Sequence, residues 1–283
     1  MTDITRQQLE DLLRAAGVRS GSVLFVHSSL SSLGNVSGGA ETVVAALREV
    51  LGRQGTLVVP TFTFAHEIET VFDPQREPSQ MGAISETVRS LSASRRSRHL
   101  YHSVAAVGRS RDRITDHHGP SAWAVDGPFW QLIALDADIL LLGVPYTRCT
   151  QFHVVEQIVN VAYRKWLHVD AVICEPDGKT SPLPTRVYRP EPGFIGNDFN
   201  KFGRILESRE VVGKSIIGNA ITRLFKAQDV LDIGIAEYRD NQELFVKSHG
   251  VFTDLPEGVV ITANGTERWV IDPRNTYRKT LRD

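Results

Sequence analysis

Cysteine is scarce in this sequence of 283 residues, which contains only Cys149 and Cys174. Two cysteines in a chain of this length do not make a disulfide framework. Long apolar runs are also missing: none approaches the roughly 18 consecutive apolar residues of a membrane helix, and none resembles a signal peptide. The sequence therefore predicts a cytoplasmic protein that is neither secreted nor inserted in a membrane.

Neither sign of charge is in excess, since Lys and Arg total 32 while Asp and Glu total 33. Nucleic acids and anionic membranes bind proteins that carry a strong positive field, so neither is expected as a partner. A site devoted to polycations would more often occur in a strongly acidic protein. The charge balance therefore weighs against a purely polycationic substrate.

Apolar residues make up 41% of the sequence, which is enough for a sizeable core. Strand patterns alternate with helical patterns and no linker divides them, as is typical of α/β layers. We predict a single domain over residues 1–283 with a layered, mostly parallel central sheet and helices on both faces. The predicted strands are 22–26, 55–60, 103–107, 138–143, 167–174, 184–188 and 258–262, and the predicted helices are 5–16, 40–51, 83–91, 127–134, 150–163 and 212–227.

The first chemically informative block follows the predicted strand at 22–26. That strand runs into His27 and a serine-rich loop, then into Gly38-Gly39 and a predicted helix. Backbone amides at such a helix start can face an anion, which suits a phosphate-bearing cofactor. The alternative is a serine-rich turn in which Ser37 caps the helix, and both interpretations can hold together.

The second block places His153 and Glu156 three residues apart, on one side of a predicted helix. A histidine that titrates near neutrality suits a general base, and a carboxylate one turn away can orient its ring. Pairs at this spacing also arise by chance. A structural histidine beside a solvent-facing glutamate therefore stays open on the pattern alone.

Both blocks belong to an ordered set of motifs that runs nearly from end to end of the chain. The set is V-H-S-S-L-S-S-L-G at 26–34, G-G-A-E-T-V-V-A-A-L after it, G-T-L-V-V-P-T-F-T-F at 55–64, R-S-R-H at 96–99, S-V-A-A-V-G at 103–108, L-L-L-G-V at 140–144, T-x-x-H-x-x-E at 150–156 and F-I-G-N-D-F at 194–199. In this set the chain resembles the antibiotic N-acetyltransferase family, the aminoglycoside 3-N-acetyltransferases and their relatives. Two positions depart from the family pattern: Leu100 stands where proline is usual, and Gly127-Pro128 replaces Ser-Pro.

The resemblance implies an acetyltransferase fold distinct from the common GNAT fold, with acetyl-coenzyme A (acetyl-CoA) as cosubstrate. It implies direct transfer of the acetyl group to an amine of an aminoglycoside or related amino-sugar or natural product, with His153 as general base and Glu156 as its partner. The implied cofactor-binding residues are His27, Ser28, Ser29, Ser31, Gly38, Gly39 and Ser103. The implied substrate-binding residues are Asp73, His99, Thr61 and Phe62.

Three other functions remain open at this point. Cys149 precedes His153 by four residues and could carry an acyl-enzyme intermediate. A zinc hydrolase is disfavoured, because His99, His102, His117, His118 and Asp116 match no zinc-binding spacing, and we expect no metal. The third is a relative that binds coenzyme A (CoA) without turnover. A homodimer is also left open.

Two of the substrate and cofactor assignments have simpler alternatives. Asp73 precedes Pro74, so a turn is at least as favoured as an amine contact. The basic run Arg95, Arg96 and Arg98 could meet nucleotide phosphates, although a solvated surface is favoured slightly.

Overall fold

The computed structural model describes residues 3–64, 70–116, 119–192, 194 and 196–247, together with the backbone of two short strands at 268–271 and 277–280. The helices are α1 (Arg6–Ala15), α2 (Gly39–Leu51), α3 (Ala83–Arg89), α4 (Arg111–Thr115), α5 (Pro128–Ala134), α6 (Phe152–Ile158), α7 (Phe199–Ser208) and α8 (Ala227–Asp240). The strands are β1 (Val23–Ser28), β2 (Thr56–Pro60), β3 (Val71–Phe72), β4 (Arg95–Arg96), β5 (Val104–Gly108), β6 (Asp138–Leu142), β7 (Arg164–Cys174), β8 (Thr180–Pro190), β9 (Gly213–Ile217), β10 (Ala220–Lys226), β11 (Arg268–Ile271) and β12 (Tyr277–Thr280).

The central sheet has seven strands in the order β4-β5-β2-β1-β6-β10-β9. Strand β1 pairs in parallel with β2 and β6, whereas the four outer pairs are antiparallel. Because the antiparallel pairs come in succession on both sides, five of the seven strands still run in one direction. The predicted α/β class is confirmed, and the parallel pairing is confined to the centre. Parallel pairs need long crossovers, whereas short connections such as the one from β4 to β5 produce antiparallel neighbours.

Helices cover both faces of this sheet, as predicted. Side chains along β1 point alternately to the two faces of the sheet. Leu24 and Val26 pack against α1, α2 and α3 on one face, and Phe25 packs against α5 to α8 on the other. Leu24, Phe25 and Val26 are all fully buried. Burying a side chain of this kind stabilises the fold by roughly 1.5–3 kcal/mol, so the central strands anchor the site that lies at their ends.

A second sheet of three strands, β3-β7-β8, is formed by a long antiparallel hairpin and one short parallel strand. Its small core contains Phe72, Ile173 and the fully buried Leu100. The Leu100 carbonyl also accepts a hydrogen bond of 2.9 Å from the Thr63 hydroxyl. The leucine that departs from the family pattern is thus accommodated as an apolar core residue.

Most predicted elements are present with small shifts at their ends, but one is wrong. Residues 212–227 form the hairpin β9–β10 rather than a helix, and the helix α8 begins only at Ala227. The hairpin turns at Gly218, whose φ of 61° is in the left-handed region and whose added Cβ would collide with the Leu33 carbonyl. The predicted helix at 150–163 is shorter, and the predicted strand at 258–262 lies outside the described residues. The single-domain organisation stays a prediction.

Across the described ranges, no helix combines the length and apolar content that crossing a membrane requires.

Candidate functional site

The larger of two adjoining cavities opens at the carboxyl ends of the parallel strands. We name it the edge cavity; it has a volume of about 960 Å³, and Ser28 of β1, Pro60 of β2 and Gly143 after β6 line it. Strand β1 lies between β2 and β6, so the cavity occupies the position where chains that leave neighbouring strands diverge. Ligands of α/β proteins bind in such a crevice.

Most of the residues predicted to bind the cofactor lie in this cavity. His27, Ser28, Ser29, Ser31 and Gly39 line it. Burial lowers the pKa of His27 to about 3, so its ring is neutral near pH 7.

The start of α2 forms one wall of the edge cavity. The helix N-cap is Gly38, which does not line the cavity and whose φ is 80°. No side chain caps the helix, so the alternative in which Ser37 caps it is wrong. The amides of the first turn therefore lack a side-chain acceptor, as an anion-binding helix start requires.

Ser103 and Thr61 line neither cavity. Their hydroxyls are buried and lie 3.1 Å apart, and the Arg96 guanidinium donates to the Ser103 hydroxyl at 2.9 Å. These contacts join β2 to β5. Phe62 does line the edge cavity.

The other two residues predicted to contact substrate are engaged within the protein. The Asp73 carboxylate accepts the amides of Gln75 and Arg76, both at 3.0 Å, which is the turn geometry given as the alternative. His99 is buried, and its Nδ1 accepts the amide of His102 at 2.9 Å. Neither Asp73 nor His99 lines either cavity.

The second cavity, of about 780 Å³, lies against the β7–β8 hairpin, and we name it the hairpin cavity. Leu167, Val169 and Val187 form its apolar floor. Four side chains line both cavities and so form the boundary between them: Phe64, His102, Trp123 and His153. A reacting group from each cavity can meet at this boundary.

His153 and Glu156 form a hydrogen-bonded pair on α6. The Nδ1 of His153 contacts Oε2 of Glu156, and the carboxylate is fully buried while 22% of the imidazole side chain remains accessible. Because an ionised carboxylate only accepts hydrogen bonds, the proton of the neutral ring resides on Nδ1. The lone pair is then on Nε2, which is the arrangement of an oriented base.

Buried donors surround the Glu156 carboxylate. The Tyr163 hydroxyl and the Asn197 amide each donate to Oε1 at 2.7 Å, and Nε of Arg164 lies 3.2 Å from Oε2. Burial opposes ionisation of this carboxyl, but His153, Arg164 and Tyr163 outweigh it and hold its pKa below the usual value.

The imidazole of His153 is held between aromatic rings. Trp123 and Phe199 pack edge-on against it, with centroids at 4.9 and 5.0 Å. The Trp123 indole donates to the Thr150 carbonyl at 2.9 Å, which ties this ring to the start of α6. Burial lowers the pKa of His153, and the charge of Glu156 offsets this only in part. The ring is therefore a neutral base near pH 7.

Sequence reasoning missed five residues of this site: His102, Trp123, Tyr163, Arg164 and Asn197. Asn197 could have been predicted as a site residue, because it is a polar residue inside the motif at 194–199. His102 entered only as part of a rejected zinc pattern.

Cys149 and the basic run Arg95, Arg96 and Arg98 line neither cavity. Cys149 is fully buried and has a thiol pKa raised by burial. Arg95 and Arg98 pair with carboxylates, Arg95 with Asp112 and Asp116 and Arg98 with Glu175. In the described part of the chain no three His, Cys, Asp or Glu side chains gather as a metal site would require, and His117 and His118 lie outside that part.

The second departure from the family pattern has a steric reason. Gly127 is the N-cap of α5, with Pro128 at the first helical position. A Cβ at Gly127 would collide with the carbonyls of Ser121 and Ala122. The local backbone therefore requires glycine where the family has serine.

Comparison with known proteins identifies the family. The family model described as aminoglycoside 3-N-acetyltransferase matches residues 25–239, and the chain belongs to this family of acyltransferases. Aminoglycoside N(3)-acetyltransferase VII of Streptomyces paromomycinus is 29% identical over 273 residues, which cover 82% of this chain and 91% of the relative.

Solved structures of aminoglycoside acetyltransferases have the same fold as this chain. A histidine variant of aminoglycoside acetyltransferase AAC(3)-IVa, crystallised with a gentamicin, is 27% identical with a TM-score of 0.75, covering 88% of this chain and 93% of that one. AAC-IIIb, solved as a binary complex with CoASH, is 21% identical with a TM-score of 0.74, covering 87% and 99%. At this low identity, the comparison with AAC-IIIb shows a shared fold and nothing further.

Proposed function

We propose that this protein transfers the acetyl group of acetyl-CoA directly to an amine, with His153 as general base. The observation that carries the proposal is the position of His153. It lies on the boundary between two cavities, and Glu156 orients its ring from a buried position.

In this proposal acetyl-CoA occupies the edge cavity and the amine occupies the hairpin cavity. Membership of the family supports acetyl-CoA as the donor, and CoASH is bound in the AAC-IIIb structure. The hydroxyls of Ser28, Ser29 and Ser31 and the uncapped start of α2 are suitable partners for the pantetheine arm and the phosphates.

The reaction requires a base, because a proton must be removed from the amine. An ammonium group is not a nucleophile, so His153 Nε2 accepts a proton as the amine nitrogen attacks the thioester carbonyl. A carbon–nitrogen bond forms, the carbon–sulfur bond breaks, and the proton held on His153 passes to the sulfur, so that CoA leaves as the thiol. Glu156 remains ionised throughout and stabilises the imidazolium, as the third member of a triad does.

The acceptor is an amine of an aminoglycoside or of a related amino-sugar or natural product. The curated relative is named as an aminoglycoside N(3)-acetyltransferase, and the AAC(3)-IVa variant was solved with a gentamicin. The hairpin cavity has the size of a small-molecule site.

The test is release of free thiol from acetyl-CoA in the presence of a panel of amines, with the acetylated product identified by mass. His153→Ala should lower turnover by about a hundredfold or more, the range expected for loss of a general base. His168 is exposed and lines neither cavity, so His168→Gln is the matched control and should retain turnover. Normal turnover by a folded His153→Ala protein would overturn the proposed role of His153. Absence of acetylation with every amine would overturn the proposed function.

A further inference from the structure

The boundary between the two cavities carries two imidazoles, those of His102 and His153. Another polar group there is the indole of Trp123, but its N–H is already donated to the Thr150 carbonyl at 2.9 Å. His153 uses Nδ1 in its pair on α6 and keeps the lone pair of Nε2 for the amine proton. Among the described residues, His102 is the imidazole left for a second role in the reaction.

The ring of His102 is held in place from several sides. It packs against the rings of Trp123, Phe62 and His99, with centroids at 4.4, 5.1 and 5.3 Å. The His102 backbone amide donates to Nδ1 of His99 at 2.9 Å. Trp123 also packs against His153 at 4.9 Å, so the same indole contacts both boundary imidazoles. The two histidines are therefore fixed in position relative to each other.

The surroundings of His102 Nδ1 indicate which ring nitrogen carries the proton. This atom is buried and has no hydrogen-bond partner within the described ranges. An orphaned buried N–H group is rarer in proteins than an under-satisfied acceptor, so we assign the proton to Nε2, the other ring nitrogen. Burial is the main cause that holds the pKa of His102 well below its usual value, so the ring is neutral near pH 7.

We propose that Nε2–H of His102 donates a hydrogen bond to the thioester oxygen of acetyl-CoA and stabilises the oxyanion that forms there. When the amine attacks, the carbon–oxygen double bond opens and its oxygen gains a negative charge. The double bond forms again as the carbon–sulfur bond breaks, and His102 keeps its proton throughout. A preorganised donor of this kind acts where the charge develops. The inference rests on the proposed acetyl transfer and adds a second group to its chemistry.

The two histidines divide the work according to their protons. His153 presents a lone pair, which takes the proton of the amine, and His102 presents an N–H, which meets the charge on the thioester oxygen. That charge is absent from bound acetyl-CoA and develops only in the transition state. Loss of His102 should therefore lower kcat and leave the KM for acetyl-CoA nearly unchanged.

Three substitutions of His102 separate its donor from its bulk. His102→Gln places an amide N–H near the position of Nε2, His102→Asn places one near that of Nδ1, and His102→Leu supplies neither. In the thiol-release assay, His102→Leu should lower kcat by about a hundredfold, the range for loss of one oxyanion donor, with less than about a threefold change in KM for acetyl-CoA. His102→Gln should recover about tenfold or more of that loss, and His102→Asn should not.

Controls for folding and for histidine replacement accompany these variants. Each variant should show the CoA-induced rise in thermal midpoint that the wild type shows, because the donor is not needed to bind CoA. His168 is exposed and lines neither cavity, so His168→Leu should keep the kcat of the wild type.

A second measurement needs no acceptor amine. Infrared difference spectra of acetyl-CoA that is isotope-labelled at the thioester carbonyl report the hydrogen bond directly, because a donor at the oxygen weakens the double bond. The carbonyl band should lie at lower wavenumber on the wild type than in solution. It should return towards the solution value in His102→Leu and stay lowered in His102→Gln. His153→Ala retains His102 and should also keep the lowered band.

Three outcomes would overturn the inference: an unchanged kcat in His102→Leu, equal losses in the Gln, Asn and Leu variants, or a carbonyl band that does not differ between the wild type and His102→Leu. Equal losses would assign His102 a structural role. Absence of thiol release with every amine would instead reject the proposed function. The carbonyl band would then still decide whether His102 contacts the thioester.

Discussion

At the scale of single residues, the Glu156 carboxylate joins four side chains into one unit: His153, Tyr163, Arg164 and Asn197. Two of them, Arg164 and Asn197, are also hydrogen-bonded to each other at 2.7 Å. The hydrogen bonds and the Arg164 charge offset the desolvation cost of burying this carboxylate in its ionised form. The orientation of the His153 ring is thus set by Glu156 and by the side chains that hold its carboxylate in place.

The first prediction concerns Glu156→Gln. The loss of turnover should be less than the roughly hundredfold loss of His153→Ala, because the base remains but its orienting charge is gone. The double variant should be no worse than His153→Ala alone, since the two residues act together. Tyr163→Phe removes one donor to the carboxylate and should cost less than Glu156→Gln.

The pH profile gives this prediction a second readout. Wild-type turnover should fall as pH falls through the pKa of His153, which burial holds below its usual value of 6.5. Glu156 raises that pKa, so its neutralisation in Glu156→Gln should move the acid limb to lower pH. Additive losses, or an acid limb that moves to higher pH, would contradict the pairing.

The second prediction concerns Cys149. Its thiol is buried and its pKa is raised by burial, so little thiolate is available as a nucleophile. Cys149→Ala should retain most turnover, and intact-mass analysis of the wild type with acetyl-CoA alone should show no adduct. A gain of one acetyl group that disappears in Cys149→Ala would establish an acyl-enzyme instead.

The sequence made part of this site predictable for a physical reason. His153 and Glu156 are one helical turn apart, and local spacing alone brings such residues together. Asn197 reaches the same carboxylate from 41 positions away, and Trp123 reaches Thr150 from 27. Contacts between residues so far apart in the chain depend on how helices and strands pack against one another. A single sequence does not reveal that packing.

At the scale of elements, the loop from β1 to α2 brings the hydroxyls of Ser28, Ser29 and Ser31 and an uncapped helix start to one cavity. The left-handed Gly38 sets the direction in which α2 leaves the loop. A side chain there would collide with the Thr42 hydroxyl in the first turn. The helix amides and the loop hydroxyls are therefore positioned together.

The third prediction is that CoA binds at this junction. CoA at about 100 times its Kd should stabilise the fold by roughly 3 kcal/mol and raise the thermal midpoint. Gly38→Ala should destabilise the protein by about 1 kcal/mol and reduce the CoA-induced shift, because the helix start must move. Gly178, in the β7–β8 turn, has a similar φ of 82° with open space around it, so Gly178→Ala is the control. It should destabilise the protein yet keep the full shift, and no shift in the wild type at saturating CoA would disprove binding.

The hairpin β9–β10 shows where element prediction failed. Apolar residues at 212–227 are frequent enough to satisfy a helical spacing, which predicted a helix. The β-branched Ile216, Ile217, Ile221 and Thr222 and the intervening Gly218-Asn219 favour two strands and a tight turn. Pairing of β10 with β6 then stabilises the hairpin, and that contact is not local.

At the scale of the whole molecule, the fold buries several histidines in neutral form around the site. His27 and His99 are 4% and 3% exposed, and burial lowers their pKa values to about 3 and about 4. In the unfolded chain the same groups titrate near 6.5. Below that pH the unfolded state binds more protons than the folded state, so stability decreases as the pH falls.

The fourth prediction is an acid-sensitive stability in a window set by these histidines. Between pH 6.5 and pH 5 each should reduce the free energy of unfolding by up to about 1.4 kcal/mol per pH unit. Ordinary carboxyl groups titrate near pH 4, below this window. Urea unfolding at pH 7, 6 and 5 should therefore show a falling midpoint, with a smaller pH dependence in His27→Gln and His99→Gln. His168 is exposed, so His168→Gln is the control for replacement of a histidine outside the core and should keep the wild-type slope. A midpoint that stays constant from pH 7 to pH 5 would mean that these rings accept protons in the folded state.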